Sequence, residues 1–151
     1  MPITSYNLLF MSIFIFISLS CRADALNNLV ISNYSIEEPL SEVTPDIALG
    51  QQLVTDVNKG NCLACHQIPQ LQEDMQGTLG PPLEAIGNRL TQADLRLRIV
   101  NMKKLNPFSI MPAYYRSNSE LNRVAERYSQ STILSADEVE HVIAYLSTLK
   151  Q

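Results

Sequence analysis

The sequence predicts an all-α fold. Two runs carry apolar side chains at helical spacing behind a complete capping box, and no run alternates as a half-buried strand would. Turn-forming Gly and Pro fall outside those two runs rather than inside them.

Taken in order, residues 1–25 read as an export signal. Leu8 to Leu19 is almost wholly apolar, the length of a signal core and short of the roughly 20 residues that span a bilayer. Ala23-Asp24-Ala25 supplies a cleavage site, so a periplasmic chain beginning at Leu26 is expected. No Lys or Arg precedes the apolar run. Retention as an anchor and lipidation of Cys21 are the alternatives, and Ser18 stands where a lipidation signal usually has Leu. Residues 26–43 are polar and acidic without a period and read as an extended leader. One domain then covers 44–151.

Within it, Thr44 as N-cap, Pro45 at the first helical position and Asp46 in the first turn open a helix. Ile47, Gly50, Val54 and Val57 form its face, and residues 58–61 end it. Gly77, Gly80, Pro81, Pro82 and Gly87 mark residues 67–90 as loop. Thr91 and Asp94 cap a second helix with Leu95, Ile99 and Met102 on its stripe, stopped by Asn106-Pro107. Residues 107–117 form a second loop, holding Met111-Pro112. A short helix is expected over about 119–128, through Leu121, Val124 and Tyr128. Ser135 and Glu138 cap the last helix, in which Val139, Val142, Ile143, Leu146 and Leu149 recur at 3.6-residue spacing.

Charge and cysteine count narrow the function. Removing 1–25 deletes Arg22 and Asp24, so the net charge stays at −4 and lacks the basic surplus of a nucleic-acid binder. Cys21 leaves with the signal. Cys62 and Cys65 remain, too few for a disulfide framework.

Those two cysteines stand in Cys62-Leu63-Ala64-Cys65-His66, a CxxCH motif. Haem attachment requires this order: two thiols for the vinyl groups and an imidazole beside them for the iron. A thioredoxin-like dithiol would want a strand–helix context, and a zinc site about four ligands, for which only His141 could be added. Cys62 and Cys65 are therefore assigned to covalent haem, and His66 to the iron. The Pro81 carbonyl, exposed by Gly80-Pro81-Pro82, is the expected acceptor for the other nitrogen of His66.

For the sixth ligand, His141 lies about 200° from Val139 at 100° per residue and reads as a solvated surface side chain. Met75 is nine residues from His66, too close to pass round a haem, and Met102 fits a helix stripe. Met111 lies in a loop, held extended by Pro112, and is assigned as the second axial ligand. Closing the 45-residue loop from His66 to Met111 costs about 3 kcal/mol plus a constant, which makes Met111 the weaker attachment.

Together these residues resemble the class I cytochromes c. Ala48-Leu49-Gly50, Cys62 to His66, Gly80-Pro81-x-Leu83, Met111-Pro112 and Ala144-Tyr145-Leu146 carry the likeness over about residues 45–150. It implies a few helices packed around one covalently bound haem c, with the Gly50 helix crossing the Tyr145 helix. The stretch from Lys59 to Pro69 further resembles the SoxX family, the monohaem subunit of SoxAX cytochromes. Asn106-Pro107, Met111-Pro112-Ala113-Tyr114 and Ile133-Leu134-Ser135 follow in the same order. The resemblance implies an electron relay within an L-cysteine S-thiosulfotransferase. Its partners would be a SoxA-like cytochrome subunit and, transiently, the SoxYZ carrier and a downstream acceptor. No catalytic residue is expected in this chain; Asp137 and Glu138 are explained by helix capping. A free carrier of another respiratory chain is the alternative, and a haem-less dithiol or zinc protein the third reading.

Overall fold

The computed structural model describes residues 29–116, 123, 125–128 and 131–150. Four α-helices order them, and no strand occurs among the described residues.

Helix α1 spans Ile47–Thr55. Its cap is Asp46 rather than Thr44: the carboxylate accepts from the Ala48 N–H at 2.8 Å and the Leu49 N–H at 3.0 Å, so the helix starts two residues after Pro45. It also stops early. Asp56 is extended, and its side chain and carbonyl take the N–H groups of Asn58, Lys59 and Asn61 in a turn. Val57, expected on the buried face, is exposed as a result. Gly50, Leu53 and Val54 are the face that is buried.

A one-turn helix, α2, spans Ile86–Arg89 inside the expected loop. Four residues carry too little periodicity to show in sequence. Helix α3 spans Gln92–Asn101 and opens on the full Thr91–Asp94 capping box. The Thr91 hydroxyl and N–H hold the Asp94 carboxyl below the usual carboxylate range. Leu95, Leu97, Ile99 and Val100 are all buried, a wider face than a single stripe. Met102 sits at the end in a 3-10 turn, Met102–Lys104, and is only partly covered. Of the helix expected over 119–128, Glu126–Tyr128 is a 3-10 turn, while Leu121 and Val124 lie outside the described residues. Helix α4 spans Ala136–Thr148 behind the Ser135–Glu138 capping box. Val139, Val142, Ile143 and Leu146 put it at the centre of the core, each worth about 1.5–3 kcal/mol of transfer free energy.

Helix α1 crosses α4 at Gly50. A Cβ there would stand 2.7 Å from the His141 carbonyl carbon and 2.9 Å from Tyr145 Cβ, so only glycine permits the approach. His141 is the clearest departure from the sequence reading. It is buried, and its Nδ1 accepts from the Asp46 N–H at 2.9 Å. The cause is that residues before α1 cover this side of α4, a contact that helical periodicity alone does not show.

Residues 29–46 are a strap laid over α3 and α4. Ile36 is 2% exposed, and its N–H donates to the Ala93 carbonyl. A buried ion pair latches the strap down. Arg96 Nε and Nη2 donate to the two Glu140 oxygens at 2.8 and 2.9 Å. Arg96 Nη1 reaches the Ile36 and Glu37 carbonyls, and Leu40 N–H donates to Glu140. At its outer end the strap makes a tight turn between Ser32 and Ser35, which exchange two backbone hydrogen bonds. Asn33 and Tyr34 carry it at φ of 49° and 64°. The left-handed region costs a non-glycine residue about 1–2 kcal/mol, less for Asn, whose side chain bonds locally.

Candidate functional site

The CxxCH segment starts from a left-handed Asn61 and winds into a 3-10 turn, Cys62–Ala64. The Cys62 carbonyl accepts from the N–H groups of Cys65 and His66, at 3.1 and 2.9 Å. This tight winding puts both sulfurs and the imidazole on one short stretch, while Leu63 points into the core and pins it.

A second segment zips along the first. Gly77 N–H donates to the Leu63 carbonyl, Gly80 to Cys65 and Leu83 to Gln67, at 2.7, 2.7 and 2.8 Å. The Gln76 amide closes the intervening loop by bonding Ile68 N–H and the Ile68 and Leu71 carbonyls. The ladder lays Gly80 flat on the His66 ring: a Cβ would lie 2.6 Å from Nδ1 and 2.8 Å from Nε2. His66 Nδ1 is 2.6 Å from the Pro81 carbonyl. A carbonyl only accepts, so Nδ1 carries the proton and Nε2 presents its lone pair outward. That is the tautomer a metal-binding imidazole needs.

Cys62 and Cys65 form no disulfide with each other. Burial pushes Cys62 up to about 12, the nearby Cys65 adds to the rise, and a hydrogen bond to its own backbone opposes it.

The Met111 loop is tied at both ends to α3. Its start is fixed by Asn101 and Asn106, whose side chains accept from the Lys103 and Phe108 N–H groups. Lys103 Nζ donates to the Ser109 carbonyl, and the Ser109 hydroxyl accepts from Met111 N–H at 3.2 Å. Its end is fixed by Tyr114 and Tyr115, whose N–H groups donate to Ile99 and Val100. The Tyr114 hydroxyl donates to the Gly60 carbonyl at 2.8 Å, joining this loop to the approach to Cys62. Burial holds that phenol well above its usual range.

Cys62, Cys65, His66 and the Pro81 carbonyl thus lie together. Met111 packs half-buried on the same core as Cys62. Among the described residues no three His, Cys, Asp or Glu side chains are grouped to hold a metal ion, which leaves the zinc reading without a ligand set. The Gly77 and Gln76 contacts were not read from sequence. Gly77 showed there only as a turn former, and Gln76 gave no signal.

A family model for cytochrome c matches residues 47–150. The chain belongs to the cytochrome c family. It is an electron-transfer cytochrome with covalently attached haem c, and Cys62 and Cys65 fit the attachment motif. The donor set suits that group: two free thiols and an imidazole with Nε2 available, on one turn. Among solved structures, a chain of SoxXA from P. pantotrophus is 31% identical, with a TM-score of 0.78, over 84% of this chain and 98% of that one. This cytochrome c is therefore SoxX-like and of class I. A search of curated proteins finds no match. The two matches differ in reach. Covering 84% of 151 residues takes about 127, and only 105 lie from Ile47 onward, so the likeness to the SoxXA chain extends into the strap. No described helix is long and apolar enough to cross a membrane.

Proposed function

We propose that this cytochrome is the electron-transfer subunit of a periplasmic SoxAX-type complex. The complex would couple thiosulfate oxidatively to a cysteine of a carrier protein such as SoxYZ. The observation that carries the reading is the likeness to the SoxXA chain, which spans nearly all of that chain. In the reaction a carrier thiolate and thiosulfate join through a new S–S bond, giving the cysteine S-thiosulfonate and releasing two electrons. Bond formation belongs to the SoxA-like partner; this chain takes the electrons.

In this reading Cys62 and Cys65 would hold haem c as thioethers, and His66 Nε2 and the Met111 sulfur would bind its iron. When bound, the haem supplies one-electron chemistry at iron. The chain's residues set how readily it does so. A soft thioether from Met111 favours the reduced state and raises the potential. Pro81, accepting from Nδ1, makes His66 a stronger donor and fixes its orientation. Leu63 is buried in the apolar core and Leu83 packs against it, and apolar surroundings of a bound haem would disfavour the extra charge of its oxidised form.

The test is a pull-down of the tagged, exported chain from its native host, with haem staining and mass measurement of what is retained. A second, larger cytochrome in stoichiometric amount supports the proposal. A chain that elutes alone and serves a terminal oxidase directly is a free carrier, and the proposal fails.

A further inference from the structure

Two exposed apolar patches stand out. Phe108 and Ile110 flank Met111 and belong to the redox site already described. The other is the outer end of the strap, where Val30 is 74%, Ile31 42% and Tyr34 75% exposed. We infer that this hairpin, residues 30–34, is a docking element for the partner cytochrome subunit. The inference rests on the assembly named under Proposed function and adds the surface used.

Three observations carry it. First, Tyr34 is strained, and its side chain makes no hydrogen bond among the described residues. A two-residue turn with positive φ at both positions favours Asn-Gly. Asn33 fits its place, but Tyr34 puts a large ring at φ 64° and leaves it in solvent. A backbone outlier held at an exposed aromatic points to use of the side chain elsewhere. Second, the strap is held firmly. The buried Arg96–Glu140 latch fixes residues 36–40, so the hairpin is a fixed projection that costs little to order on binding. Third, the strap lies outside the part shared with cytochromes c at large, yet inside the likeness to a chain solved within a complex. A segment added to a carrier fold where the carrier is a subunit is suited to assembly rather than to electron transfer itself.

Charge defines the partner surface. From Leu29 to Asp46 the chain has no Lys or Arg, while Glu37, Glu38 and Glu42 are exposed. The complementary site is an apolar pocket large enough for a phenol ring, rimmed by basic side chains.

The test uses the full haem-loaded chain and the partner cytochrome subunit from the same host, with affinity measured by titration. Tyr34→Gly removes the ring and relieves the turn. It should raise the thermal midpoint of the free chain, leave its visible spectrum unchanged, and weaken the complex at least tenfold. Val30→Ser with Ile31→Ser should weaken it similarly, and raising salt should slow association. A purely structural role would move stability and affinity together. Tyr34→Gly binding within twofold of wild type overturns the docking role while leaving the assembly intact. A wild-type chain that binds no partner cytochrome overturns the assembly and this inference with it. A wild-type chain that instead dimerises through Tyr34 overturns the choice of occupant.

Discussion

Arg96→Met tests how much the strap depends on one buried ion pair. Arg96 and Glu140 side chains are 4% and 5% exposed, so removing the guanidinium leaves a carboxylate nearly out of water with only the Leu40 N–H against it. Breaking a buried pair by removing one partner costs about 3–5 kcal/mol, since the survivor has lost both water and countercharge. The Ile36 and Glu37 carbonyls lose their donor too, but that loss lies within the same range. For a chain of this size about 3 °C of melting temperature goes with each kcal/mol, so a drop of roughly 10–15 °C is expected. Far-UV circular dichroism at pH 7 measures it, with the visible spectrum followed in parallel. The control is Arg96→Met with Glu140→Leu. Removing both charges should recover most of the loss, because apolar replacement of a buried pair is often neutral. A single variant melting within 3 °C of wild type, or a double variant no better than the single, would refute the argument.

Other expectations follow from the site. Met111→Ala should keep haem covalently bound while opening the sixth position and lowering the potential; an unchanged low-spin spectrum would remove Met111 from the ligand set. Gly80→Ala forces a methyl onto the His66 ring and should lengthen the Nδ1–Pro81 bond. A less basic imidazole stabilises the oxidised state less, so redox titration should show a higher potential. The Tyr114 phenol is raised above 10.0 by burial, so its stabilising effect is complete below pH 10 and lost as pH climbs beyond it. Tyr114→Phe should flatten that alkaline fall in denaturant titrations, though it costs about 1–3 kcal/mol at neutral pH by leaving the Gly60 carbonyl unpaired.

Much of the fold could be read where the cause is local. The Thr91–Asp94 and Ser135–Glu138 boxes each close within four residues, and both helices start where those pairs place them. The same holds for CxxCH, whose chemistry depends on five consecutive residues. Gly80-Pro81 was legible because the motif beside it posed a definite need, an acceptor for Nδ1. What escaped depends on residues far apart. His141 reads as a solvated surface side chain and Glu140 gave no signal, yet both are buried by a strap about 100 positions earlier. Pattern along a helix reports which side is apolar and says nothing about polar contacts made beyond it. Thr44-Pro45 misled for a related reason: it is a sound opening signal, but the Asp46 N–H is taken by His141 and the Asp46 carboxylate caps the Ala48 and Leu49 N–H groups, two residues further on.

The strap and α1 find their counterparts in α4, 95 to 100 residues further along the chain. A polypeptide that emerges amino end first cannot complete this closure until α4 is out. Through all that time the five residues bearing both sulfurs hang from an unfinished shell. The order of threading itself therefore leaves an interval in which a ligation enzyme can reach side chains that the finished molecule half covers.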